Sequence, residues 1–283
     1  MNKAYEVITD RIIDLLEKGT VPWHRSWGGK DSMPKSLVSG KQYRGINSFL
    51  LNAANYESPY WMTYKQAKDR GGSVRHGEKG YPCIYWNWIE KQDPKTKKTK
   101  NVPFLKYYTV FNATQCKDVE YPKTAPQKTE FEPIANCEKL VNNMPTPPEI
   151  AHEGVRASYS PAMDKVRMPS PESFDSPDNY YSVLFHELCH STGHKRRLAR
   201  KSLEDNTAFG SPTYSKEELV AEMGSAYLCG WGGIENQVID NSAAYINHWL
   251  DKLHKDSSFI VQTASQAQKA ADYVLGNHSY TET

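Results

Sequence analysis

The sequence predicts an α+β protein in two domains, and three observations carry that expectation. Its 283 residues exceed one average domain and fall short of three. A stretch rich in Pro, Lys, Gln and Thr, punctuated by Pro122, Pro126 and Pro133, interrupts regular structure, so residues 122–132 are expected to link a domain at 1–121 to one at 133–283. Charge changes at the same place. Residues 1–120 carry 20 Lys and Arg against 12 Asp and Glu, whereas residues 121–283 carry 15 against 21, so +8 gives way to −6 within a net charge of +2.

The elements follow in order. Ile8, Ile12, Leu15 and Leu16 recur at helical spacing, which predicts an amphipathic helix over residues 4–18 closed by Gly19. A second helix follows Asn47, and Thr63 with Gln66 forms a capping box for a third that ends at Gly71 and Gly72. Residues 81–89 are rich in aromatic and β-branched types, and a turn at 93–96 leads to a partner strand near 104–111, which predicts a β-hairpin. Beyond the linker, a short helix is expected at 134–144, with strands near 157–159 and 165–168. Longer helices then dominate, so the second domain should be mainly helical.

Composition excludes several classes. A 38% hydrophobic and 24% charged chain with mean hydropathy −0.73 is neither fibrous nor disordered throughout. No stretch approaches twenty apolar residues and the N-terminus is amphipathic, so a cytoplasmic protein with no membrane partner is expected. Five cysteines without a Cys-x-x-Cys pair argue for reduced thiols, against both a disulfide framework and a zinc ribbon. A net charge near zero does not suit a DNA mimic. The first 120 residues hold 17 of the 33 aromatics together with the basic excess, and that mixture suits single-stranded nucleic acid: cations follow phosphates while rings accept any base.

Residues 185–190 contain His-Glu-x-x-His. Four residues is nearly one helical turn, so His186 and His190 project from one face and can grip one metal ion, while Glu187 is placed as general base for a water there. A catalytic zinc needs a third protein ligand. Arg196 stands where the extended metzincin pattern needs a histidine, and the better source is the helix opening at Ser215, where Glu218 and Glu222 share a face. In a gluzincin arrangement Glu218 is the ligand and Glu222 orients a ligand histidine, with the reverse assignment as the alternative; Glu217 should face solvent. His194 is expected at the rim, the run Lys195, Arg196, Arg197 and Arg200 on a solvated surface, and Cys189 as a buried small group. Lys165 to Met168 is read as an edge strand able to take up an extended peptide.

These blocks together resemble the ArdC-type antirestriction proteins of mobile elements. Gly19 to Trp23, Tyr43 to Asn47, Gly77 to Gly80 and Tyr108 to Asn112 are similar to their N-terminal single-stranded-DNA-binding domain, and His186 to Gly193 with Glu217 to Glu222 to their zincin-like metallopeptidase domain. The resemblance implies a protein that binds single-stranded DNA and helps a plasmid or transposon escape restriction. Its expected metal is Zn2+, with Mn2+ as the alternative; its second partner is an unidentified protein substrate, with a host restriction component as the candidate. Trp23, Arg25, Tyr43, Arg44, Trp61, Lys79 and Tyr85 are the candidate DNA contacts, Lys95, Lys97, Lys98 and Lys100 flank the hairpin tip, and Tyr214 is the candidate for stabilising a substrate carbonyl. The rival reading is a nonenzymatic DNA-binding shield with a structural or vestigial metal site; a further one is a general peptidase whose N-terminal domain recruits protein.

Overall fold

Helix α1 (Lys3–Glu17) buries Ala4, Ile8, Ile12 and Leu16 along one stripe. The Asn2 side chain caps its start by accepting from Ala4 N, and Gly19, at φ +77°, turns the chain away at its end. The computed structural model describes residues 2–24, 32–92, 99–123, 133–204, 212–236 and 242–277.

The N-terminal half continues through β1 (Lys35–Ser36), α2 (Ile46–Ala53), β2 (Tyr60–Met62), α3 (Tyr64–Asp69), β3 (Ser73–Val74), β4 (Tyr81–Gln92), β5 (Thr99–Asn112) and β6 (Cys116–Lys117). The Thr63 and Gln66 capping box forms as its spacing predicts. The hairpin is longer than its apolar run suggested; β4 and β5 pair antiparallel with Tyr85 opposite Lys106, in a sheet of order β1-β2-β5-β4. The strand β4 is therefore an edge.

The C-terminal half holds α4 (Pro133–Asn142), β7 (Glu149–His152), β8 (Ser158–Ser160), β9 (Lys165–Met168), α5 (Pro177–Ser191), α6 (Lys201–Glu204), α7 (Pro212–Gly232), α8 (Ser242–Lys255) and α9 (Phe259–Val274). Its sheet runs β7-β9-β8, so Lys165 to Met168 is the central strand with both edges already paired, and the expected peptide-accepting edge is not there. Proline-rich 124–132 lies outside the described residues, as do Arg25, Lys95, Lys97 and Lys98; for Lys100 and Tyr214 the side chains do. Among the described residues no helix is long and apolar enough to cross a membrane.

The main core is shared. Ile8, Ile12, Trp23, Phe49 and Leu105 from the first half pack in one cluster with Phe185, Leu219, Trp249, Ile260 and Val274 from the second. Helix α1 touches the hairpin on one side and α8 and α9 on the other.

Candidate metal centre

Ser176 caps α5 by accepting from Asn179 N, and Pro177 at the first position fixes its φ for the first turn. From there His186 and His190 fall one turn apart on one face, with ring centroids 4.7 Å apart. Helix α7 crosses closely because Gly224 carries no side chain: a Cβ there would sit 2.5 Å from Cys189 Sγ. Cys189 is fully buried, as expected, and burial pushes its thiol far above the usual range. We expect Gly224→Ala to cost about 1–3 kcal/mol by overpacking, read as a lower urea midpoint, and the double variant with Cys189→Ala to recover most of it.

That close approach brings Glu218 to the imidazole pair. His190 Nε2 lies 3.1 Å from His186 Nε2; Glu218 Oε2 is 3.5 Å from the first histidine's Nε2 and Oε1 3.5 Å from the second's. Bonds of ~2.1 Å in a tetrahedron separate ligand atoms by ~3.4 Å, so the two imidazoles and one Glu218 oxygen stand near the spacing that a cation with an open fourth position needs. Among the described residues His186, His190 and Glu218 form the cluster of metal-ligand type, all donor atoms lying within 4.8 Å. Glu187, 9% exposed, makes no hydrogen bond or ion pair among the described residues.

Glu217 is the correction. Expected in solvent, it is 4% exposed, and its Oε1 sits 3.5 Å from His190 Nδ1, an ion-pair contact without hydrogen-bond alignment. Arg200 grips the same carboxylate through Nε at 3.1 Å and through a second, shorter bond, and Ser202 Oγ donates to it at 2.6 Å. Arg200 also donates to the Cys189 carbonyl at 2.7 Å and Thr192 Oγ1 at 2.6 Å, satisfying the C-terminal end of α5. Gly193 makes room, since a Cβ there would meet the guanidinium at 3.0 Å. The run expected to be solvated thus contributes a buried Arg200 and, through Arg197 paired with Asp164, a second buried cation. His194 lies off the metal cluster, 3.8 Å from Asp164.

Electrostatics follow from this wiring. Burial alone would disfavour the His190 imidazolium, but the carboxylates of Glu218, Glu217 and Glu187 outweigh it and lift its pKa to about 9. Burial works against the Glu217 carboxylate too, and His190 with Arg200 overcomes it, holding the acid down at about 2.

Glu222, expected to orient a ligand histidine, turns to the other half of the chain. Its Oε2 accepts from Trp23 Nε1 at 3.2 Å and lies 3.4 Å from His24 Nε2. The contact expected of Glu222 is made by Glu217, one residue before the ligand.

The candidate DNA contacts scatter. Trp23 and Trp61 are 0% and 1% exposed, and a ring sealed in the core cannot stack on a base; both expectations are corrected. Tyr43 is half-buried and hydrogen-bonded to Tyr108, and Arg44 is paired with Asp272. Lys79 is exposed in the turn before β4, and Tyr85, 40% exposed, lies edge-on to Tyr108 at 5.6 Å. Outside the candidate list, Trp86, Phe104 and Tyr107 are exposed on the same hairpin, as is Lys106, whose Nζ lies 5.1 Å from the Phe104 ring centre. Their signal was the aromatic run itself.

Comparison with known proteins matches each half of the chain to a separate family model. The family model of the N-terminal domain of anti-restriction factor ArdC matches residues 2–111, and that of zincin-like metallopeptidases matches residues 135–266. A DNA primase TraC of Escherichia coli is 35% identical over 96% of this chain, which spans 27% of the primase. The uncharacterized protein y4eC of Sinorhizobium fredii is 33% identical, with 97% of this chain and 92% of y4eC covered. Antirestriction protein ArdC from plasmid R388, metal-free, is 37% identical with a TM-score of 0.77 over 99% of both chains; its Mn(II)-bound structure is 36% identical at the same TM-score, over 98% of this chain and 99% of that one. With both halves matched in this order and the R388 protein superposing end to end, the chain belongs to the ArdC family of antirestriction proteins.

Proposed function

We propose that this chain binds single-stranded DNA through its N-terminal half and hydrolyses a peptide bond at the centre held by His186, His190 and Glu218. The observation that carries the enzymatic part is the convergence of one donor atom from each of His186, His190 and Glu218, on two helices, to within 4.8 Å of one another. A divalent cation bound there supplies Lewis acidity toward a carbonyl and toward water. Zinc fits two imidazoles and a carboxylate, and the Mn(II)-bound R388 relative supports manganese as the alternative.

The chain's own residues do the rest. Glu187 takes a proton from the attacking water and returns it to the leaving nitrogen, a role open to a carboxylate with no hydrogen-bond or ion-pair partner among the described residues. Glu217, clamped by Arg200, holds the His190 ring with Nδ1 toward it, which leaves Nε2 for the cation. The protein substrate would be a component of the opposed restriction system. For DNA, the support is the N-terminal charge excess, the exposed aromatics of the hairpin, and the occurrence of the same block within a DNA primase.

Glu187→Gln tests the enzymatic reading. With dye-labelled casein as probe and zinc or manganese supplied, the substitution should lower cleavage by about 10²–10⁴-fold while metal content stays at the wild-type level. Cleavage that survives Glu187→Gln would remove Glu187 from the reaction; a wild-type chain that never cleaves leaves the nonenzymatic shield standing.

A further inference from the structure

The segment before α2 is bolted to the C-terminal half. Arg44 pairs with Asp272 of α9, Gly45 N donates to Gln268 Oε1 at 3.2 Å, and the Gly45 carbonyl accepts from the Tyr227 hydroxyl at 2.7 Å. Beside these contacts lies a cleft of about 940 Å³, within the ~300–1,000 Å³ usual for ligand sites. The N-terminal half lines it with Lys41, Tyr43, Trp86 and Tyr108. The opposite wall is a single stripe of α9, in which Val261, Ser265, Gln268, Lys269 and Asp272 recur at helical spacing.

The chemistry of the lining selects an occupant. Asp272 is the one acid among the described lining residues, and it is buried and neutralised by Arg44. Lys41 and Lys269 are exposed and have no ion pair among the described residues. Trp86 is 53% exposed, supported edge-on by Tyr5 at 6.3 Å. Cations of this kind follow a phosphate backbone and an exposed indole takes any base by stacking, so the cleft suits a single strand.

We infer that the strand-binding site is composite: α9 of the metallopeptidase half supplies one wall of the cleft, and Lys269 on it contacts phosphate alongside Lys41, with a base stacked on Trp86. This rests on the single-stranded-DNA reading above. The N-terminal domain by itself carries an incomplete site, and an occupied cleft bears directly on a helix packed against α7, which carries Glu218.

Fluorescence anisotropy of a labelled oligothymidylate, titrated with the full chain at several salt concentrations, tests this. One phosphate contact contributes ~0.7 to the slope of log K against log salt, so Lys269→Gln should lower that slope by about 0.7 and weaken binding about fivefold at ~0.1 M salt. Trp86→Ala should weaken it by roughly 5- to 100-fold with the slope retained. Lys139→Gln, the same change of charge at an exposed site on α4 outside the cleft, should do neither. A wild-type chain that binds, with Lys269→Gln indistinguishable from Lys139→Gln, overturns the composite site and leaves the DNA reading intact. A wild-type chain that does not bind overturns both.

Discussion

His186→Ala should leave the purified chain without a retained divalent cation, while the wild type, loaded with zinc or manganese and desalted, keeps a stoichiometric one. A cation that His186, His190 and Glu218 would hold together is bound far more weakly by two donors than by three. Retention should also depend on pH in a defined direction. In the metal-free chain His190 carries its second proton up to about 9, and a cation needs the lone pair that this proton occupies. Each bound ion therefore expels a proton below that pH, and affinity should rise about tenfold per pH unit between 6 and 8 before levelling near 9. Glu217, held at about 2, stays ionised across this window and contributes no slope. Because the His190 pKa is raised on folding, the metal-free chain gains stability from it that is complete below the ordinary histidine value and lost as pH rises through about 9. Glu217→Gln should reduce metal affinity about 10–100-fold through the loosened ring. Metal analysis and competition with a chelator at stepped pH measure all of this. Full retention by His186→Ala would show that the cation sits elsewhere.

What was legible in the sequence, and what was not, follows from the range of each signal. The imidazole pair and its helix are local, and Glu218 was reached by asking for a third donor, which the structure places beside the pair. Choosing between Glu217 and Glu222 required the rotation of α7, and that helix offers little apolar face from which to read it: Leu219, Val220, Ala221, Met223, Ala226 and Leu228 are buried all the way round. A helix buried on every side has no polar stripe to set its phase. Arg197 and Arg200 looked solvated because their partners, Asp164 and Glu217, lie 33 and 17 residues away. The edge-strand expectation for Lys165 to Met168 failed for a related reason. Strand β7, from Glu149 to His152, is half-exposed and has no apolar run to announce that it pairs there.

Trp23 shows the same limit and yields the second large effect. Between Pro22 and His24, in a loop followed by Arg25, it reads as an exposed ring; the partners that bury it lie in another part of the chain. Its indole stands edge-on to Trp249 at 5.3 Å and to Phe49 at 6.5 Å, donates to Glu222, and its backbone carbonyl accepts from Asn236 Nδ2 at 3.0 Å. Trp23→Ala should therefore cost roughly 3–5 kcal/mol, a large share of the ~5–15 kcal/mol that stabilises a folded protein, and lower the melting temperature by about 10 °C or more. Trp23→Phe keeps most of the packing but strips a donor from the Glu222 carboxylate, for about 1–3 kcal/mol. Since the same cluster contains Ile8 and Ile12 beside Ile260 and Val274, both halves should melt in one transition, and the alanine variant should shift it as a whole. Oligonucleotide affinity, measured well below the melting point, should change little. The reverse pattern, unaltered melting with strongly weakened oligonucleotide binding, would return Trp23 to the surface as a stacking residue, because a ring that carries the core cannot be removed without thermal cost.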